Sequence, residues 1–237
     1  PLYSSAASDV YKRQGLMFGF GAALAYTPSL TILGHYYDKY LGLANGFVTA
    51  GSSTFTIVLP EFLNFLITTK DLSYTFRMMA LIANFIIVAG LLYKPVHIIQ
   101  SLPQKKAIRI IVNYENWKRK RYLVWAFSIP VALFGYFVPY VHMAKFVELN
   151  FPEHNKNIPI MCIGISSFIG RLLFGFIADV QKINRILLQQ IALTFIGLMT
   201  FFLPLTKSFN ILIFFAFGMG LFDGCFITLL GPIAYEI

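Results

Sequence analysis

The sequence predicts an all-α membrane protein with about seven transmembrane helices, and three observations carry that expectation. Of its 237 residues, 57% are hydrophobic and only 12% are charged, where a soluble domain has about a quarter charged. The apolar residues gather into runs of the length, about 20 residues, that a helix needs to cross the hydrocarbon core. Basic residues fall mostly between those runs, and on one side of them.

Taken in order, the chain starts with a stretch that does not fit. Residues 1–14 lack the apolar core of a signal peptide and stop where the first run starts at Gly15. They resemble translated adapter sequence and are set aside as a non-native tail. Seven segments follow, at about 15–36, 41–67, 74–93, 122–144, 158–178, 186–205 and 210–233. Backbone groups in lipid must be bonded within the segment, so these runs are helices. Gly15 and Gly19 in the first, and Gly42, Gly46 and Ala50 in the second, repeat every four residues, placing small side chains on one face where helices can approach. Pro28, Pro60, Pro130, Pro139 and Pro204 sit inside or near span ends, where freed carbonyls permit kinks. Phe18-Gly19-Phe20-Gly21 in the first span and Phe217-Gly218-Met219-Gly220 in the last are a faint internal echo.

Charge placement orients the spans. The segment 94–121 holds eight basic residues: Lys94, Lys105, Lys106, Arg109, Lys118, Arg119, Lys120 and Arg121. With Lys39, Lys182 and Arg185 its face carries eleven, against five (Lys70, Arg77, Lys145, Lys156, Lys207) on the other. The positive-inside rule puts this loop in the cytoplasm. It divides the chain into 15–93, three helices ending an N-terminal bundle, and 122–237, four helices starting a C-terminal bundle. Paired bundles around a central loop are an arrangement of parallel repeats. The net charge of +9 therefore reflects topology and not nucleic-acid binding. Cys162 and Cys225 lie in different apolar spans and read as small buried side chains. No nucleophile with its base, metal-ligand set or phosphate loop is visible, so neither an enzyme nor a cofactor is expected.

An ionisable side chain deep in a span costs about 2.5–3.5 kcal/mol on insertion scales and is a functional candidate by default. Asp223 lies near the centre of the last span and Arg171 a little past the middle of 158–178. Opposite charges in one bundle can offset each other's burial while leaving guanidinium donors for a carboxylate. A purely structural ion pair, or no contact, are the alternatives. His142, near the outer end of the fourth span, reads equally as a ligand contact and as a solvated interfacial imidazole. Asp179, beside Lys182 and Arg185, suits a cytoplasmic loop lock or ordinary interfacial charge. Glu61, following Pro60 in a long apolar stretch, is a candidate for burial, and Asn45 and Asn84 for bonds across helices.

Some of these residues also carry a resemblance. Gly34-His35-Tyr36-Tyr37, Leu43-Ala44-Asn45-Gly46 and Ala50-Gly51-Ser52-Ser53 resemble the fourth and fifth helices of the monocarboxylate transporter family of the major facilitator superfamily. The run Gly135 to His142, Gly170-Arg171-Leu172, Gly220 to Gly224, Ile227-Thr228 and Gly231 to Ala234 resemble its aromatic amino acid and thyroid hormone branch. The resemblance runs from Gly15 to Ile237. It implies a partial major facilitator fold, the fourth to about the tenth of twelve helices.

By the same resemblance, Arg171 and Asp223 match the pair that engages the amino-acid portion of the ligand, and His142 matches a histidine implicated in ligand contact. Proton-coupled lactate carriers have an aspartate four residues before the arginine, where this chain has Ser167. That departure implies facilitated, proton-independent transport of zwitterions; alternating access and a plasma-membrane location are expected of the transporter as a whole. The partners implied are a small-molecule substrate and membrane lipid, with an accessory subunit left open. A proton-coupled monocarboxylate carrier is the alternative. A seven-helix receptor is disfavoured because the basic loop follows the third span.

Overall fold

A computed structural model describes residues 2–37, 39–92, 116–180 and 182–236. Among the described residues, seven helices are long and apolar enough to cross a membrane, from Gly15–Tyr36 to Phe209–Glu236. Each overlaps one of the seven expected segments, with ends moved by a few residues; the last residue of the expected 74–93 segment lies outside the described residues. The helices are α1 (Leu2–Thr31), its short continuation α2 (Leu33–Tyr36), α3 (Leu41–Thr69), α4 (Leu72–Leu92), α5 (Lys120–Asn150), α6 (Ile158–Ala178), α7 (Arg185–Phe202) and α8 (Phe209–Glu236). No strand occurs among the described residues. The expected tail at 1–14 is helical from Leu2 onward, its side chains lying outside the described residues. Of the expected loop 94–121, residues 94–115 are likewise outside them.

Local chemistry accounts for the boundaries. Asn184 caps α7, its side-chain oxygen accepting from the backbone N–H of Ile186 (3.0 Å) and Leu187 (3.2 Å), two of the donors a helix start leaves unpaired. Asp71 does the same for α4 through Tyr74 N–H at 2.6 Å. Pro159 opens α6, where its missing N–H breaks no helical bond.

Helices α3, α6 and α8 pack most closely, because glycines let their backbones meet. A Cβ on Gly42 would lie 2.6 Å from the Gly175 carbonyl oxygen, and one on Gly46 would lie 2.5 Å from that of Arg171. The contacts Gly42 with Gly175, Gly46 with Arg171, Ser53 with Ser167 and Ile57 with Gly164 run α3 antiparallel to α6. On the other flank Gly170 meets Leu221 and Gly224 meets Ser167 and Arg171, with α6 and α8 parallel. The expected row at Gly42, Gly46 and Ala50 is thus a packing seam. The row at Gly15 and Gly19 faces open space, so the four-residue spacing alone did not tell a seam from an exposed face.

Two apolar clusters flank the seam. Met143, Ile163, Leu212 and Met219 fill one end, and Ile196, Phe226, Leu229 and Ile233 the other. α4 presents Phe85, Ile86, Leu91 and Leu92 outward. An apolar face of this kind is ordinary for a helix whose solvent is lipid.

Candidate functional site

Between the two clusters the seam holds charge. Arg171 on α6 and Asp223 on α8 bring Nη2 and Oδ2 to 3.7 Å, with side chains 6% and 5% exposed. The pairing follows from helix periodicity and from two glycines. Gly170 and Gly224, each adjacent to one member of the pair, remove the side chains that would hold α6 and α8 apart.

Neither charge depends on the other alone. The Tyr136 hydroxyl, from α5, donates to Asp223 Oδ1. Ser167 Oγ donates to Oδ2 at 2.5 Å. Arg171 Nε donates to the same Ser167 oxygen at 3.2 Å, while its Nη1 donates to the Thr49 carbonyl and, at 2.5 Å, to Ser52 Oγ, both on α3. Ser53 and Ser167 hydroxyls meet at 3.1 Å. A hydroxyl has one proton, and that of Ser167 goes to Asp223, so Ser53 is the donor in this contact. The network joins α3, α5, α6 and α8, and every buried charge in it has a partner, as a low-dielectric site requires.

Tyr26 lies on α1, in the first of the seven spans. It also lines a cavity of about 270 Å³, walled by Leu30, Trp125, Ile129, Leu230 and Tyr235 among others. Tyr140 packs its ring on Tyr136 at 5.1 Å between centroids. None of the ion-pair network residues lines this cavity, which runs toward Leu41 and Tyr235 at the Asp179 end of the seam.

A second constellation lies at the end of the seam where the sequence places the cytoplasm. Asp179, just past α6, accepts from Gly42 N–H (2.8 Å) and Leu43 N–H (2.9 Å), capping α3 from another helix. A carboxylate at a helix start also meets the positive end of its dipole. Arg185 donates to the Ala178 carbonyl at 2.9 Å, pairs with Asp179 at 3.4 Å and with Glu236. At the opposite end Glu61 accepts from Asn155 (3.3 Å) and Asn157 (3.1 Å).

An Asp179→Asn variant has the same shape but turns an amide donor toward one of the two N–H groups. Hydrogen exchange at Gly42 and Leu43 is expected to speed up by about tenfold, within the range for a lost helix cap. Unchanged exchange would show that the cap does not hold α3.

The structure therefore brings together Arg171 and Asp223, and Asp179 and Arg185. It leaves Lys182 exposed at the α6–α7 turn and His142 exposed on α5, outside the network. Asn45 bonds across helices, to the Thr228 carbonyl at 2.5 Å, whereas Asn84 turns back to Ala80 of its own helix at 3.0 Å. Sequence reasoning did not single out Tyr136, Thr49, Ser52 or Ser53 as site residues. A trace existed: 49, 52, 53 and 56 put a hydroxyl stripe on one face of an otherwise apolar helix.

Residues 15–236 match the sequence model of the Major Facilitator Superfamily. The chain is 45% identical to Monocarboxylate transporter 10 of Danio rerio over 242 residues, 99% of this chain and 48% of that protein. It is also 45% identical to Monocarboxylate transporter 10 of Homo sapiens over 250 residues, with the same coverage. Monocarboxylate transporter 2 of Rattus norvegicus is 25% identical over 246 residues, 92% of this chain and 50% of that protein. The chain spans about half the length of the curated relatives it matches.

Proposed function

The chain belongs to the major facilitator superfamily, and from that premise we propose that the protein is a plasma-membrane transporter for aromatic amino acids or iodothyronines. Transport is facilitated, independent of protons, and proceeds by alternating access, with the helix groups on either side of segment 94–121 rocking about a midplane site. Substrate carboxylate goes to Arg171 and substrate ammonium to Asp223. Asp179 and Arg185 latch the cytoplasmic end by tying the α6–α7 turn to the start of α3.

The observation that carries this reading is the buried Arg171–Asp223 pair. A pair of opposite charges is neutral, and a zwitterion adds no net charge to it. A lone carboxylate adds one negative charge to a buried site and calls for a compensating proton. Ser167, hydrogen-bonded to both charges, is a hydroxyl that does not titrate in the physiological range. The cavity lined by Tyr26 and Trp125, on the side of the seam toward Leu41 and Tyr235, has aromatic and aliphatic walls that a ring can lie against.

The test is uptake of labelled tyrosine, tryptophan and lactate into cells expressing the protein, at pH 6 and pH 7.5. Saturable uptake of tyrosine or tryptophan, equal at the two pH values, is expected. Lactate uptake that rises at the lower pH, without a tyrosine signal, would reject the proposal.

A further inference from the structure

Arg171 is satisfied in an unusual direction. Its acidic partner on α8 is 3.7 Å away, while its closer contacts are two oxygens of α3, the Thr49 carbonyl and Ser52 Oγ. Both are reached by the same nitrogen, Nη1. A carboxylate pairs with a guanidinium through two nitrogens, one oxygen on each, so Nη1 cannot serve a substrate while Thr49 and Ser52 take both of its protons. We propose that Thr49 and Ser52 act as a built-in stand-in for the substrate carboxylate, which a bound solute must displace from Arg171. This rests on the proposed amino-acid transport and adds to it a residue, Ser52, that sets affinity by competing with the substrate.

The consequence is mechanical. α3 lies on one side of segment 94–121 and α6 on the other, so the Nη1 contacts are a crosslink between the two helix groups. When a solute carboxylate takes Nη1, the crosslink opens, and the remaining tie at this level is the Ser53–Ser167 hydroxyl contact. Binding energy at Arg171 thereby loosens α3 from α6, a differential interaction of the kind that shifts a conformational equilibrium. A solute without a carboxylate leaves the crosslink in place. Ser52 is a positioning residue here: it acts on the substrate through Arg171.

This makes a prediction opposite to that for a ligand contact. Ser52→Ala removes a competitor, so L-tyrosine should bind more tightly, with half-saturation lowered about threefold to tenfold, the range expected of a partly compensated hydrogen bond to a charged group. Maximal uptake should fall, because the crosslink no longer reforms fully when substrate leaves. Tyramine, which lacks the carboxylate, should bind equally to both forms. Ser52→Thr restores the hydroxyl and should return both half-saturation and maximal rate to their original values.

The experiment is radioligand binding of L-tyrosine and tyramine to the protein in lipid nanodiscs, for the unsubstituted form, S52A and S52T, with uptake measured in parallel and thermal melting to confirm folding. Tighter tyrosine binding in S52A, unchanged tyramine binding and rescue by S52T are the expected result. Weaker or unchanged tyrosine binding in folded S52A would overturn this inference alone. Failure of S52T to rescue would overturn it equally, by assigning the change to packing. Equal binding of tyrosine and tyramine to the unsubstituted protein would overturn the proposed function together with it.

Discussion

Tyrosine uptake is expected to fall by about a hundredfold or more when Arg171 is replaced by glutamine, since two charge-assisted hydrogen bonds to a carboxylate are lost. Stability should fall with it. In Arg171→Gln the Asp223 carboxylate keeps the Tyr136 and Ser167 hydroxyls but has no positive charge beside it. Leaving one member of a buried pair alone costs about 3–5 kcal/mol in soluble proteins. Asp223→Asn removes the other half and leaves a single acceptor oxygen for the two hydroxyls of Tyr136 and Ser167. The double variant removes both charges, so it should melt at a higher temperature than the less stable single variant while remaining inactive. The measurement is a double-mutant cycle on melting temperature and uptake. Additive losses, with the double variant the least stable of all, would show that the 3.7 Å approach carries no coupling.

The same pair shows how far the sequence could be read. Arg171 and Asp223 were legible because a charge inside an apolar run has few inexpensive places to go. The spans were legible for a related reason: in lipid, length and hydropathy leave the backbone only one way to bond. His142 carries two readings in the sequence, ligand contact or solvated interfacial imidazole, and its exposed position on α5 is compatible with both. The rest of the network was hidden by its chemistry. A serine or threonine in a membrane helix can bond the carbonyl one turn back, as Thr54 does to Ala50 at 3.2 Å and Thr56 to Ser52 at 3.0 Å. Its presence therefore signals no contact. Ser52 and Ser53 differ from those threonines only in facing α6, which is a property of helix packing. Tyr136 is one of 13 tyrosines, and only the approach of α5 to α8, where its ring lies 5.7 Å from that of Phe226, brings its hydroxyl to Asp223.

Helix packing at this point depends on two hydrogen atoms where other residues have a side chain. A Cβ on Gly224 would meet the Ser167 carbonyl oxygen, Arg171 N at 2.7 Å and Gly170 C at 2.8 Å; one on Gly170 would meet the Leu221 carbonyl oxygen and Leu221 C at 3.1 Å. All of these are backbone atoms, which cannot rotate aside. Gly224→Ala must therefore push α6 from α8 by roughly 1 Å, enough to forfeit much of the dispersion contact along the seam. Overpacking of a tight core costs about 1–3 kcal/mol where side chains can adjust, and backbone contacts put this variant at or above that range. The displacement also acts on function, because Gly224 follows Asp223 and Gly170 precedes Arg171. Spreading the helices stretches the ion pair and lengthens Ser167 to Asp223, so surviving protein should transport poorly even where it is folded. Gly90→Ala and Gly135→Ala are the controls. Their added Cβ atoms have nothing within 4 Å, and alanine should stabilise each helix by about 0.5–1 kcal/mol. Melting temperature and tyrosine uptake of the three variants decide the matter: a Gly224→Ala protein with unaltered melting and full uptake would mean that the α6–α8 approach does not set the geometry of the site.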